Sequence, residues 1–303
     1  MNMKVIAVVV TFNRIKLLPK VLSALKGQTY HLDKILIIDN NSSDGTNDYC
    51  INEMQVSENI LYYNTGENLG GAGGFHYGVE KAQEFEFDSL WLMDDDLVPE
   101  ENCLEIMLQN NLGDIVQPLR VNVDGSCAEI SPVIYDMASP FVINPKRLTV
   151  ASLLSHIKGD ISNSGVALHG IPFEGPLIKK RVIDTVGLPN KDYFIFYDDL
   201  DFAIRARKAG YSIFCDLDAK ATRLLKNDQQ QDLNSWKGYF MLRNMFHISW
   251  VHGENIFVRY RPGVITIAYI FVSLSKANFR QIMIAARAYF DSFRLSNTDK
   301  NKP

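Results

Sequence analysis

The chain has 303 residues, 47% of them apolar and 22% charged. That suffices for one large core, or a core domain with a smaller helical extension, and argues against disorder except over the polar residues 296–303. The formal net charge of −4 speaks against a general nucleic-acid binder, because neutralising phosphates needs a basic excess, and the four cysteines Cys50, Cys103, Cys127 and Cys215 contain no CxxC pair that would suggest zinc.

Val5 to Val10 is a continuous apolar, mostly β-branched run, as in a parallel strand covered on both faces. It has one Lys before it and leads into Thr11-Phe12-Asn13-Arg14 without a small-residue cleavage signal, unlike a signal peptide. With reduced cysteines, a cytosolic chain is the simplest expectation. Leu17 to Leu25 repeats apolar residues at helical spacing. Lys34 to Ile38 reads as a second strand ending at Asp39, and Asn40 to Gly45 as a turn and helix start. Ile60 to Tyr63 is a third strand, followed by a glycine-rich loop and a helix near Phe75 to Glu84. Ser89 to Met93 is a fourth strand and runs into Asp94-Asp95-Asp96.

This alternation implies an α/β fold with a Rossmann-like, mostly parallel central sheet flanked by helices. Ligands then bind beyond the carboxyl ends of the strands, which puts Thr11, Asp39, Asn68 and Asp94 on one rim. Gln117 to Ile178 mixes short strands and turns, and Asp192 to Gly210 holds an acidic cluster followed by a helix. From Trp236 onward the chain reads as aromatic-rich helices. The expected division is 1–235 for a catalytic domain and 236–303 for a C-terminal helical region. No stretch of about 18 uninterrupted apolar residues is present, so no membrane-spanning helix is expected.

Three segments carry chemistry. In Trp91-Leu92-Met93-Asp94-Asp95-Asp96 an apolar strand delivers three carboxylates to its exposed end. Clustered acids repel, so a cation or raised pKa values are expected there, and Mg²⁺ or Mn²⁺ suits carboxylate oxygens. Asp94 and Asp96 point the same way on an extended segment and could share one ion; the bland alternative is a solvated turn with Asp96 capping a helix from Pro99 or Glu100. The run from Glu67 to Phe75 opens a helix with glycines that admit close backbone approach, where a phosphate or sugar could lie. On glycines alone, a tight strand-to-helix connection is the stronger reading. It is neither a Walker loop nor a dinucleotide fingerprint. In Phe196-Tyr197-Asp198-Asp199-Leu200-Asp201, two acids after an aromatic run suggest a partly buried carboxylate tuned towards a general base, unless one merely caps the helix. Asp201 and Arg205 are placed to pair on that helix.

Together these segments resemble the family-2 glycosyltransferases, which have the nucleotide-sugar-binding A-type fold. The match runs from Val8 to Arg14, through Gln28, Ile38 to Gly45, Asn68 to Phe75, Asp94 to Asp96 and Asp198 to Ala206, and fades after Arg243-Asn244. The resemblance implies nucleoside contacts from Thr11, Asn13, Arg14 and Asp39. It gives the ribose, diphosphate and a divalent metal (Mn²⁺ or Mg²⁺) to Asp94 and Asp96 with Asp95 beside them, places Asn68, Gly70 and Gly71 near the nucleotide sugar, and makes Asp199, next to Asp198, the catalytic base. A lone base implies inversion by single displacement. The Asn-Leu-Gly-Gly-Ala-Gly-Gly-Phe run and three consecutive aspartates look most like the galactofuranosyltransferase branch, with a UDP-sugar donor and a lipid-linked or oligosaccharide acceptor in bacterial cell-surface polysaccharide synthesis.

Rhamnosyltransferases using dTDP-rhamnose are the neighbouring alternative. A nucleotidyltransferase would need a glycine-bearing triphosphate loop that Thr11 to Leu17 lacks, and a silent nucleotide-sugar-binding module is the third reading. One departure stands out: relatives place a metal-completing His some twenty residues after the base, whereas Cys215 to Leu224 has none. Water, Asp216 or Asp218 would substitute; His247 and His252 lie further on, among aromatics. In the tail, Val264 to Phe293 reads as helical, with Lys276, Arg280, Arg287 and Arg294 adding positive charge, the last three seven apart. Such a helix lies in an anionic membrane interface, at the cytoplasmic face, or packs on the core or on another copy in a homo-oligomer.

Overall fold

A computed structural model describes residues 3–142, 144–156, 164–225, 235–275, 277–296 and 298–303. The first strand, β1 (Val5–Thr11), is buried along its whole length, because helices cover both faces of the sheet around it. Strands β2 (Lys34–Asp39), β3 (Ile60–Asn64) and β4 (Ser89–Asp94) complete the parallel half, with β2 and β4 on opposite sides of β1. Beyond β4 follow β10 (Leu177–Lys179), antiparallel, then β6 (Ile115–Asn122), β11 (Ile213–Arg223) parallel to it, and β5 (Leu97–Pro99). A short β9 (Gly165–Ala167) also pairs with β11, giving nine strands among the described residues, and β7 (Pro132–Tyr135) and β8 (Lys146–Thr149) form a separate ribbon.

The side-chain period of two sorts the parallel strands into two cores. Ile6, Val8 and Val10 join Leu36, Ile38, Leu90 and Leu92 beneath α3 (Gly70–Ala82). Val5, Ala7 and Val9 join Ile35, Ile37, Trp91 and Met93 beneath α1 (Leu18–Lys26) and α4 (Cys103–Asn110). The remaining helices are α2 (Thr46–Val56), α5 (Val150–His156), α6 (Lys180–Val186), α7 (Asp198–Lys208), α8 (Lys237–His252), α9 (Ile256–Ser275) and α10 (Phe279–Asp291). Because β2 leaves β1 on one side and β4 on the other, the crevice beyond the carboxyl ends of β1 and β4 is the place where such a sheet receives a ligand.

Several boundaries differ from the sequence expectation. Helix α3 begins at Gly70 rather than near Phe75. Its glycines weigh against a helix locally, but a Cβ at Gly78 would fall 2.4 Å from Val8 Cγ1, so their absence lets α3 settle onto β1. No helix starts at Pro99 or Glu100: Leu97–Pro99 pairs with β11, and α4 starts at Cys103 after Asn102. The tail beyond Glu254 holds two helices, Ile256–Ser275 and Phe279–Asp291, and Asn278 caps the second by accepting from Gln281 N at 3.2 Å. Lys276 lies outside the described residues. Ile256–Ser275 is also, by length and composition, apolar enough to cross a membrane, with mean hydropathy 1.3. An uninterrupted-run criterion passes over it because Arg259, Arg261 and Pro262 interrupt its first turns.

Helices α8, α9 and α10 pack together through Phe246, Ala285, Ala288 and Tyr289, and Trp250 stacks on Phe293 at 4.6 Å. Helix α8 also faces the core: its buried Arg243 and Asn244 reach the loop that precedes α7.

Candidate active site

Strand β4 ends at Asp94 because its apolar residues stop there; Trp91 is fixed by donating Nε1–H to the Gly175 carbonyl at 2.8 Å. The turn Asp94-Asp95-Asp96 is held by the next strand pair, with Leu224 N donating to the Asp96 carbonyl at 2.8 Å. The three acids are half-buried. Burial first, then the charges of Glu174, Asp96, Asp95 and Asp198, pushes Asp94 well above the usual carboxylate range. Burial pushes Asp95 up to about 7, although the Thr11 hydroxyl, the Phe12 N–H and Arg14 draw it down. Asp96 is raised by burial and Glu174 and lowered by Arg223, Arg14 and Arg120.

The second acidic segment is built by a strained loop. Phe194, Phe196 and Tyr197 have φ of 65°, 66° and 71°, a region where bulky L-residues are outliers, costing of order 1–3 kcal/mol each. The surroundings hold them there. Asn244 Nδ2 lies 3.0, 2.7 and 3.0 Å from the carbonyls of Tyr193, Ile195 and Phe196. Arg243 Nη2 donates to the carbonyls of Asp192 and Tyr193 at 2.9 and 3.0 Å. The chain then enters α7, whose first turn carries Asp198 and Asp199 at the helix N-terminus, where negative charge is favoured. Asp199 accepts from Leu200 N at 2.6 Å. Burial raises its pKa to about 6, with Glu174 adding to the rise and Lys146 and Arg120 opposing it. Asp198 is raised well above its usual range by burial and by Asp199. Asp201 behaves differently. Burial would raise it, but His252 at 2.7 Å and Arg205 at 2.8 Å overcome that and hold it low, so the predicted Asp201–Arg205 pair forms as a structural clasp.

The two acidic segments therefore lie within electrostatic reach of each other. Asp198 acts on Asp94, and Glu174 raises Asp94, Asp96 and Asp199 together. Glu174 was invisible as a site residue in the sequence, as were its partners. Arg120 is buried between Glu129, at 2.8 Å from its Nε, and Glu174, which its Nη1 also contacts. Arg223 lies with Nε 3.1 Å from Glu174. Lys146 reaches the Asp199 field from β8. No local motif marks these four residues; only the sheet order brings them together. A separate cavity of about 460 Å³, lined by His76, Asp201, Arg205, His247 and His252, includes none of Asp94–Asp96, Asp198 or Asp199.

Among the residues expected to contact the nucleoside, Thr11 is buried at the end of β1. Asp39 is fully buried and accepts from Ser42 N at 2.9 Å and Tyr62 Oη at 2.8 Å. Asn13 sits at φ 54° and accepts from Ser43 N at 2.8 Å. Both side chains thus shape this wall through internal bonds, while Arg14 is exposed and close enough to lower Asp95 and Asp96.

The glycine run forms a tight strand-to-helix connection, the stronger of its two readings. Asn68 spends its side-chain oxygen on Gly70 N at 2.9 Å. Gly70, at φ +70°, presses on the Phe194 carbonyl, which a Cβ would approach to 2.1 Å, and Ala72 N donates to that carbonyl at 3.1 Å. Gly70 and Asn68 therefore lock α3 against the loop carrying Asp198 and Asp199. Gly71 is half-exposed, with open space where a Cβ would stand.

The donor set fits a hard divalent cation: burial and then the charge of Glu174 raise both Asp94 and Asp96, and a bound cation would offset both effects. The proposed substitutes for the missing His do not join them. Asp216 is held by Asn110 Nδ2 at 3.0 and 3.2 Å, with Asp218 beside it at 3.5 Å; Asn110 belongs to α4, so both acids turn away from the turn at 94–96. His247 contacts the Ser292 carbonyl at 2.7 Å, and His252 is taken by Asp201. Among the described residues no group of three or more His, Cys, Asp or Glu is gathered for a metal. In the segment expected to hold that His, Arg223 is the residue that reaches the acids.

Residues 6–150 match the family described as Glycosyl transferase family 2. The chain is 31% identical over 214 residues to galactofuranosyltransferase GlfT1 of Mycolicibacterium smegmatis, covering 68% of this chain and 66% of that one. To GlfT1 of Mycobacterium tuberculosis it is 30% identical over 227 residues, covering 72% and 69%. The chain thus spans about two thirds of the length of these relatives. The mannosyltransferase PcManGT of Pyrobaculum calidifontis, solved with GDP-Man and Mn²⁺, shares the fold at TM-score 0.56 and 15% identity, over 95% of this chain and 74% of that one. This is the A-type glycosyltransferase architecture expected from the sequence, and the chain belongs to glycosyltransferase family 2.

Proposed function

We propose that this chain is an inverting glycosyltransferase that moves galactofuranose from UDP-galactofuranose to a lipid-linked or oligosaccharide acceptor during bacterial cell-surface polysaccharide synthesis. The observation that carries this reading is the shared field of Asp94–Asp96, Glu174 and Asp198–Asp199, which we read as one recess at the switch point of the sheet. Residues 1–235 supply that recess, and residues 236–303 brace it through Arg243 and Asn244 while meeting the cytoplasmic face of the membrane. The galactofuranosyltransferase relatives favour this donor.

Asp199 takes the proton of the attacking acceptor hydroxyl. Its pKa of about 6 leaves it mostly ionised near neutral pH yet basic enough to bind that proton. The hydroxyl oxygen attacks the anomeric carbon as the bond to the diphosphate breaks, and one displacement inverts the centre. A second carboxylate is not asked to form a glycosyl-enzyme bond. Mn²⁺ or Mg²⁺, which Asp94 and Asp96 would hold, would offset charge on the departing diphosphate. Arg14, beside Asp95 and Asp96, and Arg223, paired to Glu174, keep the same end of the site from accumulating uncompensated negative charge.

A donor screen tests this function. UDP-galactofuranose is expected to be consumed with Mn²⁺ and a lipid-linked acceptor panel, well ahead of dTDP-rhamnose and the UDP-pyranoses. Preference for dTDP-rhamnose moves the chain to the rhamnosyltransferases. Binding of UDP and Mn²⁺ without transfer or hydrolysis of any donor would make it a silent binding module.

A further inference from the structure

Helix α9 is turned inside out for a helix of a water-soluble protein. Its buried positions are Val258, Arg261, Pro262, Thr266 and Ser273, only two of them aliphatic, whereas Phe257, Tyr260, Val264, Ile267, Phe271 and Leu274 are each at least 50% exposed. Their spacing of three and four places these six on one stripe. Phe279, Met283 and Phe290, between 57% and 70% exposed, do the same on α10, which packs beside α9. Soluble monomers rarely leave an apolar surface of this kind uncovered.

The charge of the segment selects what covers it. Residues 255–290 contain five Lys or Arg and no Asp or Glu, in a chain whose net charge is −4. Arg259, Arg280, Arg287 and Arg294 are exposed, and Arg280 and Arg287 directly follow Phe279 and Ala286 on α10. A two-fold contact with a second copy would set this basic surface against itself. An anionic bilayer surface attracts it, and aromatic and aliphatic side chains enter the headgroup boundary while the arginines stay at phosphate level.

We infer that the exposed stripes of α9 and α10 form one membrane-docking face that lies in the interface of an anionic lipid bilayer. Its purpose, keeping the recess near a lipid-linked acceptor, rests on the transferase reading above; the docking itself does not. The basic α10 rim fixes the orientation, so that α9 lies in the plane of the interface rather than crossing it.

The test is flotation of the full-length chain, without donor or acceptor, on vesicles of phosphatidylcholine alone or mixed with phosphatidylglycerol. Binding is expected on the anionic vesicles, weakened by salt, and reduced about tenfold or more by Arg280→Glu with Arg287→Glu. Phe271→Ser with Phe290→Ser is expected to abolish it, while melting temperature and calorimetric UDP–Mn²⁺ affinity stay at wild-type values, since these side chains are exposed. Equal binding to neutral vesicles overturns the electrostatic half. Resistance to both high salt and alkaline carbonate means a spanning helix and overturns interfacial docking. A vesicle-free dimer dispersed by Phe271→Ser with Phe290→Ser assigns the face to a second copy. Vesicle binding by a chain inactive on every donor leaves docking standing and removes the transferase reading.

Discussion

The Asn244 side-chain amide lies 2.7 Å from the Ile195 carbonyl, and this bond ties the C-terminal helices to the loop that presents Asp198 and Asp199. The amide also meets the carbonyls of Tyr193 and Phe196, so one buried side chain holds a run of positive-φ aromatics in place. Asn244→Ala leaves buried carbonyls without donors, costing about 1–3 kcal/mol of stability. Misplacing Asp199 by about 1 Å lowers kcat about 100-fold with little change in donor KM. Steady-state kinetics beside a thermal melt checks this; an equal loss in KM alone would contradict a positioning role.

Asp199→Asn removes the base while keeping its shape. Transfer is expected to fall by about 10²–10⁴-fold, with UDP–Mn²⁺ affinity retained by calorimetry. Wild-type turnover in that variant would assign the proton elsewhere.

The pH profile follows from the same residue. A base works only when deprotonated, and burial has raised Asp199 to about 6. Hence kcat/KM should be lost as pH falls through about 6 and be level above it. The Lys146 charge lowers this pKa, so Lys146→Met should move the acid limb to higher pH. A limb that stays put means Lys146 does not act on the working base.

The glycines separate structure from binding. Gly70→Ala drives a Cβ to 2.1 Å from the Phe194 carbonyl at φ +70°, so the variant should lose stability by more than about 1 kcal/mol and lose activity with it. Gly71→Ala meets nothing within 4 Å and should melt like the wild type. A change in donor KM in that variant alone would mark Gly71 as lining the donor.

Metal binding has its own readout. Saturating Mn²⁺ stabilises a protein that binds it by RT ln(1 + [L]/Kd), about 2.7 kcal/mol at 100 times Kd. Asp94→Asn and Asp96→Asn should each abolish that shift in melting temperature. A full shift in both variants would move the ion away from the 94–96 turn.

The parallel half of the sheet was legible because Val5–Val10, Lys34–Ile38, Ile60–Tyr63 and Ser89–Met93 are short apolar runs ended by polar turns, and each formed a strand. The place of Asp94 at the end of its strand followed from the same pattern, while Asp199 was singled out by its acidic segment after an aromatic run and by the family resemblance. Glu174, Arg120, Arg223 and Lys146 were not legible, since their approach depends on β6, β8 and β11 meeting the site across long sequence separations. Asn68 and Gly70 serve the tight strand-to-helix connection that the glycines alone favoured. A glycine beside a helix start looks the same in sequence whether it faces a phosphate or a neighbouring carbonyl. Asn244 showed only as the fading edge of the resemblance, because an Asn inside a helix carries no local sign of the loop it braces.

The most direct test of a single cleft serving donor and base is the anomeric configuration of the product, read by NMR after reaction of UDP-galactofuranose with Mn²⁺ and acceptor, in wild type and Asp199→Asn. An inverted linkage is expected from the wild type, with product formation by the variant slower by about 10²–10⁴-fold. A retained configuration, or the same product formed at the same rate by Asp199→Asn, would contradict this expectation.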